Sequence, residues 1–153
     1  IACMNEPALK YKLEWSMVHQ DILDECWEDC AKLLKKSVKR SGGRVTIDDA
    51  YRDVDSGRSQ LWIVYSTSDM KIIGCLVTFV REYATGLRML HFDHIAGIKM
   101  DEWFTDGLEM LKKYSRENGY DGLEGIGRPG FWNWIKNIGW KKPAIFFEVR
   151  INY

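Results

Sequence analysis

The sequence has 153 residues, of which 46% are hydrophobic and 29% are charged, and its 22 Lys and Arg residues balance its 22 Asp and Glu residues. This length suits a single domain with its own hydrophobic core, so we expect one domain over residues 1–153. The balanced charge excludes a general electrostatic attraction to nucleic acid, and no nucleic-acid partner is expected. No apolar run approaches the roughly 20 residues that cross a bilayer, so no membrane partner is expected either.

The four cysteines favour a reducing compartment. Cys3, Cys26, Cys30 and Cys75 show no Cys-x-x-Cys spacing, and no basic-then-apolar signal segment opens the chain. We therefore expect four reduced thiols in a protein that is not secreted.

The first half of the chain predicts an edge strand followed by two helices. Apolar residues alternate with polar ones up to Met17, namely Tyr11, Leu13, Trp15 and Met17. Residues 19–40 carry apolar side chains at helical spacing, with acidic residues in the first turns and basic residues in the last. Thr46 and Asp49 have the spacing of a capping box, which predicts a second short helix that ends at Gly57.

The second half predicts a sheet interrupted by helices. Residues 60–65, 71–80 and 87–98 are rich in β-branched and aromatic residues and are separated by turn residues, which predicts an antiparallel meander. Asp101 is the predicted N-cap of a helix that ends near Gly119. A brief strand over 122–127, a short helix that ends at Gly139 and a final strand over 144–151 complete the predicted order.

The closing phrase Ile135-Lys-Asn-Ile-Gly139-Trp140, followed by an apolar run, resembles the closing segment of the GNAT acyltransferase fold. The predicted order of elements is similar to that fold over the whole chain. The resemblance implies an α+β (α/β/α) domain with a mixed, mostly antiparallel, twisted sheet and helices on both faces. It also implies transfer of an acetyl group from acetyl-CoA to an amine.

In that family a glycine-rich loop after the third long strand binds the pyrophosphate of acetyl-CoA. The equivalent stretch here, residues 94–103, offers only Gly97 and Lys99 to such a loop, followed by Met100 and Asp101 at the helix start. As a predicted N-cap, Asp101 would occupy the amides that a phosphate needs, so a cofactor is not expected. The alternative is that acetyl-CoA binds to a non-standard loop at these four residues.

Gly125-x-Gly127-x-x-Gly130 contains Pro129 and follows no βαβ unit, so it indicates a loop rather than a dinucleotide site. Arg128 lies among these glycines at a helix start and is a candidate contact for the phosphates of acetyl-CoA. The candidate cofactor-binding residues are therefore Gly97, Lys99, Met100, Asp101 and Arg128.

The candidate catalytic residues lie in the predicted strand over 87–98. Strand alternation would place His91 and Asp93 on one face and Phe92 and His94 on the other, so His91 is a candidate base with Asp93 as its orienting partner. A polar strand surface explains the same residues without catalysis. Two histidines on opposite faces do not make a metal site. Ile135 stands where the resemblance implies a Tyr acid.

The missing cofactor loop and acid make the chain most similar to the GNAT-like proteins of tailed bacteriophages, including their internal virion proteins. The leading hypothesis is a phage-encoded protein that binds a virion or host protein, in the virion or the host cytoplasm, through a surface that includes Trp132. An inhibitor of a host enzyme is a variant of this hypothesis. The alternative is an active N-acetyltransferase.

Overall fold

The structure, a computed structural model, describes residues 12–151, so the predictions for Cys3 and Tyr11 lie outside the described residues. The elements are β1 (Leu13–Met17), α1 (Leu23–Arg40), α2 (Ile47–Asp55), β2 (Gln60–Ser66), β3 (Ile72–Glu82), β4 (Arg88–Gly97), α3 (Met100–Glu117), β5 (Gly122–Gly125) and α4 (Trp132–Ile135). Single 3-10 turns precede α1 and α4. None of the helices between residues 12 and 151 is long and apolar enough to cross a membrane.

The strands form one sheet in the order β1-β2-β3-β4-β5. Each pair from β1 to β4 is antiparallel, whereas β5 lies parallel to β4. The predicted meander and the mixed, mostly antiparallel sheet are therefore confirmed.

Helices cover both faces of the sheet and bury two separate apolar clusters. On one face α3 contributes Trp103, Leu108 and Leu111 to a core that includes β4 residues Leu90 and Phe92. On the other face α1 contributes Leu23, Cys30 and Leu34 and α2 contributes Val54. The predicted α+β class with helices on both faces is confirmed.

The capping box at the start of α2 is present as the sequence predicts. The Thr46 side chain accepts a hydrogen bond from the Asp49 amide at 3.1 Å, and the Asp49 carboxylate accepts one from the Thr46 amide at 2.9 Å. Together they satisfy two amides that the first turn of a helix leaves without an intrahelical acceptor.

Replacing Thr46 by alanine should lower the free energy of unfolding by about 1 kcal/mol, because one capping hydrogen bond is lost. Urea denaturation measures the change. Thr46→Ser keeps the hydroxyl and serves as the matched control, with an expected loss well below that of Thr46→Ala. Equal losses in the two variants would contradict a capping role.

The chain after β5 differs from the prediction in two ways. The predicted final helix is shorter, since α4 ends at Ile135 and Ile138 is 45% exposed. The predicted strand over 144–151 is wrong, because no residue of that range belongs to a strand. Its Arg150 side chain instead donates a hydrogen bond to the Gly42 carbonyl in the turn between α1 and α2.

Three of the four cysteines lie in the described part of the chain, and all three are free thiols. Cys30 and Cys75 are buried between α1 and β3, and Cys75 donates to the Cys30 carbonyl at 3.7 Å. Burial, together with the neighbouring Cys30, raises the pKa of Cys26 to about 11, so this thiol stays protonated at neutral pH.

Candidate active site

A β-bulge in β4 brings two histidines to the same face of the sheet. His94 pairs with Val77 and Phe92 pairs with Thr78, which leaves Asp93 as an extra residue without a partner position on β3. His94 meets Ser37 of α1, and His91 meets Phe79, which lies two residues from the α1-facing Val77. The predicted separation of His91 and His94 is therefore wrong, because a bulge shifts the alternation by one residue.

His91 is 4% exposed and is held from two sides. Its Nδ1 lies 2.7 Å from Oε2 of Glu124 on the neighbouring strand β5. Its ring centroid lies 4.8 Å from that of Phe79 on β3. The imidazole is therefore held by Phe79 on one side and by Glu124 on the other. The cross-strand register explains both contacts, since His91 is directly opposite Phe79 on one side and Glu124 on the other.

Glu124 is the centre of a small polar cluster. The Tyr83 hydroxyl donates to its two carboxylate oxygens at 2.7 and 2.9 Å. Burial raises the pKa of Glu124, but the hydrogen bonds from His91 and Tyr83 and the charges of His91 and Arg81 outweigh burial, so its pKa lies below the ordinary value of 4.5. The carboxylate is therefore ionised at neutral pH and acts as a fixed acceptor for His91.

Asp93 does not have the predicted orienting role toward His91. Its carboxylate lies 3.8 Å from Nε2 of His94, and the His91 Nδ1 is bonded to Glu124 instead. His94 also bonds Ser37 of α1 through Nδ1 at 3.0 Å. Sequence analysis missed Glu124 because only the parallel register of β4 and β5 brings it beside His91, and no local pattern encodes that register.

The two strands that carry His91 and Glu124 separate one residue pair further along, after Phe92 and Gly125. β4 pairs with β5 only from Met89 to Phe92, whereas it pairs with β3 as far as Gly97. The Ile126 amide still donates to the Phe92 carbonyl at 3.0 Å. The polar cluster therefore lies at the closed end of a split between neighbouring strands.

The helix that follows β4 begins differently from the prediction. Lys99 is the N-cap residue of α3, in a left-handed conformation with φ of 53°, and its side chain does not cap the amides of the helix. Asp101 is the second residue of α3 and is exposed, so its predicted capping role is wrong. Buried Met100 begins the helix, and the turn at Lys99 displaces the predicted cap by two positions.

Gly97 is required by packing. Its φ is +155°, and a Cβ atom there would lie 2.4 Å from the Ile73 carbonyl oxygen and 2.9 Å from the Trp103 ring. The lack of a side chain lets α3 press Trp103 against the ends of β3 and β4. A packing role therefore explains this glycine without a cofactor.

Arg128 lies beside the first turn of α3. Its Nη2 is 3.8 Å from the Met100 sulfur, and its guanidinium lies 4.7 Å from the centre of the Phe131 ring. A cavity of about 240 Å³ is lined by Arg128, Gly130, Phe131 and Trp134. It is smaller than the roughly 300–1,000 Å³ pockets that enclose whole ligands, so a large ligand here would lie along an open surface.

Trp134 is the more exposed of the two tryptophans in α4. It is 37% exposed and stacks on Phe131 with ring centroids 5.6 Å apart. Trp132, the predicted interface residue, is half-buried, and the Lys142 ammonium lies 5.4 Å from its ring centre. Between residues 12 and 151, no group of three His, Cys, Asp or Glu residues is placed to hold a metal ion.

Solved structures share this architecture over nearly their full length. A ribosomal-protein-alanine N-acetyltransferase from Brucella melitensis biovar Abortus aligns with a TM-score of 0.65 and 14% identity, over 92% of this chain and 99% of that one. A GNAT family acetyltransferase from Staphylococcus aureus aligns with a TM-score of 0.62 and 10% identity, over 91% and 98%. The chain has the GNAT acetyltransferase fold.

A third structure of this fold contains acetyl-CoA. It is a predicted acetyltransferase from Clostridium acetobutylicum, which aligns with a TM-score of 0.66 and 11% identity over 91% of this chain and 96% of that one. No protein-family model and no curated protein sequence matches the chain. Identities this low show the GNAT fold alone, and the activity has to be argued from the residues described above.

Proposed function

We propose that this GNAT-fold protein transfers an acyl group from acyl-CoA to an amine, with His91 as the group that accepts the amine proton. The observation that carries the proposal is the 2.7 Å contact between His91 Nδ1 and Glu124, one residue pair before β4 and β5 separate. A His whose Nδ1–H is held by a carboxylate presents Nε2 as a proton acceptor.

Each residue of the polar cluster has a defined task in this proposal. Glu124 fixes the tautomer and orientation of His91 and stabilises the imidazolium that forms when the amine proton arrives. Tyr83 donates to Glu124 and holds the carboxylate in place. Acyl-CoA would supply the thioester that the deprotonated amine attacks. The C–S bond would break as the amide forms, and the CoA thiolate would leave and take its proton from water.

The residues near the start of α3 fit an anionic cofactor. The first turn has no side-chain cap, so its amides face the end of the helix where anions are stabilised. Arg128 adds a guanidinium beside Met100. Asp101 and Glu102 are exposed and carry opposing charge, which weakens the attraction, and the Glu102 amide already donates to the Lys99 carbonyl at 2.9 Å.

Calorimetric titration with acetyl-CoA tests this proposal. We expect binding in the micromolar range, about −8 kcal/mol. Arg128→Gln should raise the dissociation constant about tenfold through the loss of one charge-assisted contact. Arg58→Gln removes an exposed arginine that pairs with Asp53 and is the matched control. Absence of heat at millimolar acetyl-CoA would overturn the proposal.

Protein binding is a second candidate function, favoured by the exposed side chains of Arg128 and Trp134, which both pack on the buried Phe131 ring. Arg and Trp are enriched at the energetic centres of protein interfaces. The phage origin and the virion or host partner inferred from the resemblance remain predictions. Co-purification from phage-infected cells that is lost in Trp134→Ala would support this candidate, and unchanged co-purification would oppose it.

A further inference from the structure

An exposed arginine near the end of β3 lies beside the polar cluster of His91 and Glu124. Side chains two residues apart in a strand share a face of the sheet, so Arg81 is on the same face as Phe79. The register places Phe79 directly opposite His91 and Arg81 directly opposite Met89. Arg81 is therefore a diagonal neighbour of His91, and it has no task in the acyl transfer described above.

Two aromatic rings hold the Arg81 side chain. Its guanidinium carbon lies 5.8 Å from the centre of the Phe79 ring and 5.8 Å from that of the Tyr83 ring. Phe79 also contacts the His91 ring. Tyr83 also donates its hydroxyl hydrogen to Glu124. The rings that hold the guanidinium are thus the rings that border the cluster, and they fix its position before any ligand binds.

The protein does not use the hydrogen-bonding capacity of this guanidinium. Between residues 12 and 151, the Arg81 side chain has contacts with these two rings but no hydrogen bond or ion pair. Arg81 is also exposed to solvent. A guanidinium presents its N–H donors in a planar fork that matches the two oxygens of a carboxylate. An arginine held by rings rather than by an acid is therefore ready to bind an anion.

The charges of the site favour a ligand that carries both signs. Burial raises the pKa of Glu124, but its hydrogen bonds and the charges of His91 and Arg81 lower it overall, so Arg81 lies near this carboxylate. An ammonium group is attracted by Glu124 and repelled by Arg81. A simple alkylammonium thus meets one favourable and one unfavourable charge. A zwitterion with its ammonium toward Glu124 and its carboxylate toward Arg81 meets two favourable charges.

We propose that Arg81 binds the carboxylate of a free amino acid, whose amine is the group that His91 deprotonates. This inference rests on the proposed acyl transfer, and the products are an N-acyl amino acid and CoA. Diagonal neighbours on one face of an antiparallel pair are about 7–8 Å apart, so one small molecule can reach both Arg81 and His91. Arg81 binds and selects the substrate and takes no part in proton transfer.

The carboxylate distinguishes a free amino acid from other amines. A polyamine or an alkylamine has no anionic group for Arg81. The N-terminal amine of a protein is followed by a peptide bond, which is neutral and binds a guanidinium more weakly than a carboxylate does. The site therefore favours free amino acids over protein N-termini.

Acyl transfer to amino acids and to their amides tests this selectivity. L-Alanine, L-phenylalanine and L-glutamine are each compared with the α-amide, which keeps the amine and lacks the carboxylate charge. We expect kcat/KM to be about tenfold or more higher for the acids. Arg81→Gln should lower kcat/KM for the acids about 10–100-fold, mainly through KM, and leave the amides unchanged, because a charge-assisted contact is lost.

Arg88→Gln is the matched control. Arg88 is also an exposed arginine held over an aromatic ring, 5.1 Å from the centre of Tyr120. It precedes Met89 in β4 and therefore lies on the opposite face of the sheet from Arg81. Its replacement should leave the preference for acids unchanged. Equal rates for acids and amides, or a preference that survives Arg81→Gln, would overturn the amino-acid site and leave acyl transfer standing.

Binding without turnover separates this proposal from the acyl transfer on which it rests. Saturation-transfer NMR of L-phenylalanine is recorded in the presence of CoA, which has no acyl group to transfer. The expected signal is lost in Arg81→Gln and kept in Arg88→Gln. This result together with no CoA release for any amine would overturn acyl transfer and support the Arg81 site. Neither binding nor turnover would overturn both.

Discussion

Replacing Trp103 by alanine should lower the free energy of unfolding by about 3–5 kcal/mol, a large fraction of the 5–15 kcal/mol typical of a domain. Trp103 is 2% exposed and packs against Gly74 of β3 and Gly97 of β4, with its ring centroid 5.4 Å from that of Trp15 in β1. Its Nε1 donates to the Ile98 carbonyl at 2.8 Å. The alanine variant therefore leaves both a cavity and a carbonyl without its donor.

Urea denaturation of two further variants separates these contributions. Trp103→Phe keeps most of the ring volume but removes the hydrogen bond, so its loss should be about 1–3 kcal/mol. Met70→Ala truncates an exposed side chain and should change stability by less than about 0.5 kcal/mol. If Trp103→Ala were as stable as Met70→Ala, the central position of Trp103 in this core would be wrong.

The glycines around Trp103 show how far local sequence reasoning extends. A Cβ atom on Gly74 or Gly97 would lie 2.5 or 2.9 Å from the Trp103 ring. The sequence identified Gly97 as a loop residue that allows the backbone to approach a ligand. The requirement comes instead from a tryptophan six residues further along the chain, which no turn or cap pattern encodes.

The capping box at Thr46 was predicted accurately from a local signal, whereas the final strand, which needs a distant partner, was not. The Thr46 capping box needs only residues within four positions, so its prediction is confirmed. Residues 144–151 have strand composition, but a strand exists only when another strand accepts its hydrogen bonds. The Glu148 and Arg150 side chains of this range instead bond Arg44 and Gly42, about a hundred positions earlier in the chain.

In the candidate site, the sequence predicted one residue of the central pair, His91, and missed the other, Glu124. His91 was found from the sequence because titratable residues are rare in an apolar strand. Its partner was assigned to Asp93 by simple alternation, whereas the bulge at Asp93 and the parallel register with β5 select Glu124. One extra residue in β4 was enough to change the predicted pair, because side-chain orientation in a strand has a period of two.

His91→Ala should lower kcat for acyl transfer by about 10²–10⁴-fold if His91 accepts the amine proton. The assay follows CoA release from acetyl-CoA with a panel of primary amines. His94→Ala is the matched control, since His94 is also buried on the same face of β4 but bonds Ser37 of α1. It should retain kcat within a few-fold, and equal losses in the two variants would indicate a general disturbance of the sheet.

Glu124→Gln distinguishes a positioning residue from a structural one. Because the pKa of Glu124 lies below its ordinary value, the carboxylate is ionised throughout the neutral range and stabilises a protonated His91. Without that charge the imidazolium is less stable, so the acidic limb of the pH–kcat profile should move to lower pH as kcat falls. Tyr83→Phe removes only a hydrogen bond to the carboxylate and should shift the limb less. An unshifted limb in Glu124→Gln would show that another group accepts the proton.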